Sequence, residues 1–349
     1  MLPITKIVKI RQKNFTFKQK LWYAIIDLNG DIMKRQDFIN NPALLLKEKA
    51  HIEQLNNYAV SDIEGFITSE EEKYHKQVDE LVTDFLAFGN KRVILLCGPT
   101  SAGKTTTSKI INQKLSEYGY NSITISLDNF LVPLNERAVL SDGSLDYDSF
   151  STINTKQLNR FLKELLTNKE AEMPIYNFVK NRPEDHGQVV TIKDKTVIIM
   201  EGLHALNPNL LNYDDNQNFA YKIYIAPNVD FYLDNKIILE AKKLRLMRRC
   251  IRDYYNRGAT IEQTLKTWEH TVASENLYIK PYKQTVDYII NSTHKYELML
   301  YAKYLKPLLY TTENNEEIYE LIKPLDACEQ INKILIPDDS MLWEFINKN

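Results

Sequence analysis

The stretch Gly98-Pro99-Thr100-Ser101-Ala102-Gly103-Lys104-Thr105 constrains this chain more than any other. It matches G-x-x-x-x-G-K-[ST] and stands between an apolar run, Val93 to Cys97, and helical text, Lys104 to Tyr118. Strand, glycine loop and helix in that order make a phosphate cradle. Glycines let backbone N–H groups wrap an anion at a helix N-terminus, a lysine reaches the β/γ oxygens of a bound nucleotide, and a hydroxyl holds Mg²⁺. Gly98 through Thr106 are the expected nucleotide-binding residues, namely Gly98, Pro99, Thr100, Ser101, Ala102, Gly103, Lys104, Thr105 and Thr106. At average glycine usage the pattern arises by accident in about one chain in a hundred of this length. This chain has only 10 glycines, and two of them are in the loop.

Around the loop, short apolar runs alternate with helical stretches: Val93 to Cys97, Ser122 to Leu127, Thr196 to Met200, Tyr221 to Ala226 and Val286 to Ile290. Such alternation predicts an α/β fold, a parallel sheet with helices on both faces. The 44% apolar content of 349 residues is ample for a buried core. With 44 Lys+Arg against 46 Asp+Glu the net charge is -2, so no global basic field recruits nucleic acid or acidic membrane, and any anion site must be local. The 21 tyrosines are not interleaved with a basic strand set, which disfavours nucleic acid as a partner. Three scattered cysteines, Cys97, Cys250 and Cys328, make neither a disulfide framework nor a Cys-based zinc site. Without an apolar leader or a run of about 18 apolar residues, the expectation is a soluble cytoplasmic protein that engages no membrane.

Both flanks carry extra material. Leu21 to Leu28 reads as a strand and Asn29-Gly30 as a hairpin turn, while Ser69 with Glu72 reads as a capping box opening a helix that runs to Gly89. The chain thus divides into residues 1–68, a small α+β unit; 69–90, a connecting helix; 91–294, the loop-bearing α/β domain; and 295–349, a helical extension interrupted near Pro307, Pro324 and Pro337.

Other motifs supply chemistry. Ile123 to Leu127 ends in Asp128, a carboxylate at a strand's carboxyl end, placed to accept a proton from an attacking hydroxyl or to hold Mg²⁺ through water. Val197 to Met200 ends in Glu201, as expected of a metal-facing carboxylate. His204, three residues on, is a candidate for substrate or metal contact or for a buried hydrogen-bonding role. Arg248, Arg249 and Arg252 are spaced to share one helical face, and with Arg257 before Gly258 they suit a lid closing over phosphate.

In this order, the phosphate loop, Ser126 to Phe130, Tyr147-Asp148, Tyr176-Asn177-Phe178, Val197 to Gly202 and Arg245 to Gly258 resemble the uridine kinases of the phosphoribulokinase/uridine kinase family of P-loop kinases. The resemblance runs from about Arg92 to Leu309. It is closest to the bacterial long-branch nucleoside kinases, through Glu201-Gly202-Leu203-His204-Ala205-Leu206-Asn207-Pro208 and Arg252-Asp253-Tyr254 to Arg257-Gly258. It implies a P-loop kinase fold, ATP or GTP as phosphoryl donor, Mg²⁺ near Thr105, Glu201 and Asp128, and a nucleoside acceptor, uridine or cytidine, for pyrimidine salvage. It further implies that Asp128 activates the 5′-hydroxyl, Asp148 grips ribose hydroxyls and Tyr176 and Phe178 flank the base, with Lys104, Arg249, Arg252 and Arg257 handling phosphates. Short members often form homo-oligomers.

Where short members carry a histidine after the Tyr-x-Phe element, this chain reads Val179-Lys180-Asn181-Arg182, and Arg182 joins the substrate-side candidates. Long-branch relatives carry a front region like the N-terminal part of threonyl-tRNA synthetases with an H-x-x-x-H element, whereas His51 and His75 stand far apart. Two other readings keep the loop: a phosphoribulokinase-like enzyme acting on another sugar or sugar phosphate, and a non-catalytic, nucleotide-switched module contacting RNA through its front unit.

Overall fold

The computed structural model describes residues 47–346 apart from 90, 141, 142, 144, 212–218, 314 and 315; before residue 47 it describes only the backbone of Ile25–Ile26 paired antiparallel with Ile32–Met33. The turn expected at Asn29-Gly30 lies outside the described residues.

Five strands make the central sheet: β1 (Val93–Cys97), β2 (Ser122–Ser126), β3 (Val197–Gly202), β4 (Ala220–Ala226) and β5 (Tyr288–Asn291). All neighbours are parallel, in the order β5-β4-β1-β3-β2. The expected parallel α/β sheet is therefore present, with ends shifted by one or two residues. Its strands alternate cleanly between two cores. Ile94, Leu96, Val197, Ile199, Tyr221, Ile223 and Ile225 face one cluster, whereas Leu95, Cys97, Ile198, Met200 and Ala220 face the other. A strand buried on both sides can be continuously apolar, which is why β1 and β3 read as unbroken runs.

The first core packs under α1 (Ile63–Ala87), α2 (Lys104–Glu117), α4 (Ala241–Arg257) and α6 (Glu297–Tyr304). The second packs under α3 (Thr155–Asn168), through Leu158, Phe161 and Leu165. Register then sets the working end of the sheet. Glu201 of β3 lies level with Leu96 of β1 and Ser126 of β2, and Gly202 with Cys97, so the segments after β1, β2 and β3 emerge side by side.

The front of the described chain does not stand apart. Asp62, not Ser69, caps α1 by accepting from the Gly65 N–H at 2.9 Å, and the boundary expected at 68/69 falls inside this one helix. Val78, Leu81 and Val82 of α1 have no exposed surface in the shared core, and the Tyr74 hydroxyl meets Thr107 Oγ1 of α2 at 2.5 Å. Glu48–His51 pairs parallel with Val229–Leu233, which pairs antiparallel with Lys236–Leu239. Asp230 binds the Lys47 ammonium at 2.9 Å and also accepts from the Ala241 N–H at 2.9 Å, tying the front segment to the start of α4. Beyond β5, helices Glu297–Tyr304, Lys306–Tyr310 and Glu316–Asp326 cover the first core, and Pro324 is accommodated in the last turn of the third.

Candidate active site

Gly98 follows β1 so closely that any Cβ there would strike the Ile225 carbonyl of β4, and Gly103 holds φ +90°, which turns the chain into α2. Arg245 and Arg248 of α4 brace the loop from behind, donating to the Thr100 carbonyl at 3.1 Å and the Ser101 carbonyl at 3.4 Å. Each arginine is fixed by a carboxylate. Glu275 of α5 (Trp268–Tyr278) receives Arg245 in two bonds of 2.5 Å, and Glu297 receives the fully buried Arg248 at 2.6 and 2.7 Å. The Lys104 ammonium folds over the loop onto the Gly98 and Pro99 carbonyls, both at 3.0 Å. Ser101 Oγ is buried without a hydrogen-bond partner, a polar atom left over in a loop built to meet one more oxygen.

Beside the loop stand the two strand-end carboxylates. Asp128 is exposed in the turn Leu127–Phe130, and Glu201 is only 4% exposed. Burial, reinforced by the Asp128 charge and opposed by Lys104 and a Ser126 hydrogen bond, pushes the Glu201 carboxyl up to about 7. These interactions join Lys104, Asp128 and Glu201 in one electrostatic cluster. Thr105, at the start of α2, is exposed next to it. Among the described residues no three His, Cys, Asp or Glu side chains gather so as to hold a metal. The oxygens this site would offer Mg²⁺ are the Thr105 hydroxyl and the Glu201 and Asp128 carboxylates, a hard donor set of the kind Mg²⁺ takes.

The arginine segment forms α4 as expected but splits in two. Arg248 turns inward to Glu297, Ser292 and the loop, so it does not share a working face with Arg249 and Arg252. The other three converge on Asp253. Arg249 Nε lies 3.3 Å from its carboxylate, Arg252 Nη2 2.7 Å and Arg257 Nε 3.6 Å. Asp253 was legible as a motif letter but not as their organiser; its signal is the four-residue spacing to both Arg249 and Arg257. Arg257 also stands 5.3 Å from the Phe178 ring centre and within electrostatic reach of Asp128.

The residues expected on the substrate side form a set of aromatic walls. Tyr176 and Phe178 meet edge to face at 5.2 Å, and Asn129, next to Asp128, accepts from the Tyr176 N–H at 3.3 Å. Arg137, which sequence reasoning missed, donates to the Tyr176 hydroxyl at 3.0 Å and lies over the Tyr147 and Tyr176 rings. Asp148 faces Arg249 and Thr271; burial raises its carboxyl above the ordinary range, against the pull of Arg249. His204 is 2% exposed between Phe150 and Tyr278, its Nε2 3.0 Å from the Asp148 carbonyl. It supports the Asp148 loop rather than lining an open site, and burial pushes its imidazole down to about 4. Arg182 pairs with Asn177 on the hairpin that carries Tyr176, and its guanidinium lies 4.0 Å from the Asp185 carboxylate.

The description "Phosphoribulokinase / Uridine kinase family" matches residues 93–298, more than half of the chain. The chain belongs to this family. The phosphoribulokinase/uridine kinase match begins at β1 and ends in α6, so it leaves out α1 and most of the C-terminal helices. Relatives of this family member include the uridine kinase of Halobacterium salinarum, 28% identical over 197 residues that cover 56% of this chain and 77% of that protein. The uridine kinase of Ligilactobacillus salivarius is 28% identical, covering 58% of this chain and 85% of that one. That of Saccharomyces cerevisiae is also 28% identical, with 66% of this chain and 43% of the yeast protein covered. Among the described residues no helix is long and apolar enough to cross a membrane.

Proposed function

We propose that the protein is a nucleoside kinase that transfers the γ-phosphoryl group of ATP or GTP to the 5′-hydroxyl of uridine, with cytidine as a second acceptor. The observation that carries this reading is the cluster of Lys104, Asp128 and Glu201 at the ends of three adjacent strands, linked to Tyr176 through Asn129 and to Phe178 through Arg257. Asp128 accepts the proton of the 5′-hydroxyl while that oxygen bonds to the γ-phosphorus and the bond to the β,γ-bridging oxygen breaks. Lys104 leaves its loop carbonyls for the β/γ oxygens, and Arg249, Arg252 and Arg257, pre-aligned by Asp253, neutralise charge from the opposite side. Thr105, Glu201 and Asp128 are the residues that would hold Mg²⁺, which would supply further charge neutralisation when bound. The barrier is lowered by positioning and electrostatics.

One observation favours a second reading, a sugar phosphate acceptor: Arg137 on Tyr176 and Arg257 on Phe178 put two cations at the acceptor mouth. The test is to incubate the protein with Mg·ATP or Mg·GTP and a panel of nucleosides and sugar phosphates, identifying products by mass. Uridine or cytidine monophosphate is the expected product. A phosphorylated sugar phosphate instead moves the assignment to the second reading. Donor binding without transfer to any acceptor overturns both in favour of a nucleotide-switched module.

A further inference from the structure

The segment Ser340–Ile346 returns to the phosphate loop from the far end of the described chain. The Glu344 carboxylate accepts from the Thr106 backbone N–H at 3.1 Å and from the Thr106 hydroxyl at 3.0 Å. Thr106 is the third residue of α2, and its N–H is one of the first-turn donors that a helix cannot satisfy internally. The rest of the segment holds the carboxylate in place. Met341, Leu342 and Phe345 have no exposed surface, and the Met341 thioether occupies the space a Cβ on Gly103 would need. The Phe345 ring centre lies 4.9 Å from the Arg248 guanidinium, and Ser340 donates to Glu71 of α1 at 2.5 Å.

We propose that Glu344 is a donor-site residue: its carboxylate holds the anion position at Thr106 in the nucleotide-free protein and must yield it to a donor phosphate. The proposal rests on the reading of the loop as the triphosphate site. The N–H groups of such a loop and its helix cradle the α- and β-phosphates. One N–H and one hydroxyl cannot serve a carboxylate and a phosphate together, and two anions at hydrogen-bond distance repel. The donor therefore binds only the fraction of molecules in which Glu344 has let go, and its apparent affinity is lowered by that fraction. The segment acts as a built-in competitor that sets the donor concentration at which the enzyme loads.

The test titrates Mg·AMP-PNP into the full-length protein and its Glu344→Ala and Glu344→Gln variants by calorimetry, with thermal melts alongside. The expected result is tighter binding in both variants, by about tenfold for Glu344→Ala, together with a lower melting temperature from loss of the cap. If Glu344→Ala does not fold, the Glu344→Gln comparison carries the same expectation. Measurable wild-type binding that is unchanged or weakened in the variants overturns the proposal and leaves Glu344 a helix cap only. If no form binds the analogue, the donor-site reading fails, and the proposal with it.

Discussion

The two faces of the central sheet are built differently. On the face of α1, α2, α4 and α6, even charged groups are sealed in, as with Arg248 and Glu297, both without exposed surface. On the α3 face, the aromatic walls are half open: Phe178 is 47% and Tyr147 50% exposed, Arg137 bridges Tyr147 to the buried Tyr176, and Phe178 meets Tyr176 directly. The glycine loop is thus braced from behind, while the aromatic side is left more exposed. Binding energy placed on a preformed cradle need not order it first, and a looser wall can close around what it accepts.

The largest effect expected from breaking this arrangement is at the junction of the faces. Asp128→Asn should lower kcat for uridine phosphorylation by about 10² to 10⁴-fold and weaken Mg·AMP-PNP binding by far less, because the amide cannot take the proton. On the sealed face, Arg248→Met leaves the Glu297 carboxylate buried without its partner. A loss of about 3–5 kcal/mol is expected in urea unfolding, whereas Arg252→Met, four residues on, should cost rate and little stability.

Under the open face, His204 gives a pH signature. Its imidazole sits at about 4 because burial disfavours the charged form, whereas in the unfolded chain it titrates near 6.5. Protons then bind preferentially to the unfolded state as pH falls from 6.5 to 4. Stability should drop by up to about 3 kcal/mol across that window, and His204→Gln should remove this part of the slope in unfolding midpoints measured against pH. The smallest effect belongs to the half-open wall itself. Phe178→Ala should raise KM for the acceptor by about tenfold, roughly 1.4 kcal/mol, with the melting temperature unchanged; a fall in melting temperature instead would mean the wall is structural.

Much of this was legible in the sequence because it is local. The strand–loop–helix around Gly98 to Thr105, the strand ends at Asp128 and Glu201, and the Tyr-x-Phe pair are set by neighbours a few residues apart. What escaped depends on distant partners. Asp62 competes with Ser69 as a cap, and only the packing of Phe66 and Ile67 into the shared core decides for the longer helix. Arg248 differs from Arg249 through Glu297, 49 residues on. His204 sits as a plausible ligand in sequence and turns out to be covered by Phe150 and Tyr278. No periodicity in the tail signals that Glu344 meets a residue 238 positions earlier.

That span has a consequence for how the protein is made. On the ribosome, Glu48–His51 emerges without its β-partner Val229–Leu233, and the first turn of α2 without Glu344. The nascent first core therefore stays open until nearly the whole described chain has left the exit tunnel. Contacts of such long sequence separation fold slowly. During synthesis, the apolar side of α1, which carries Val78, Leu81 and Val82, waits for the C-terminal part of its cover.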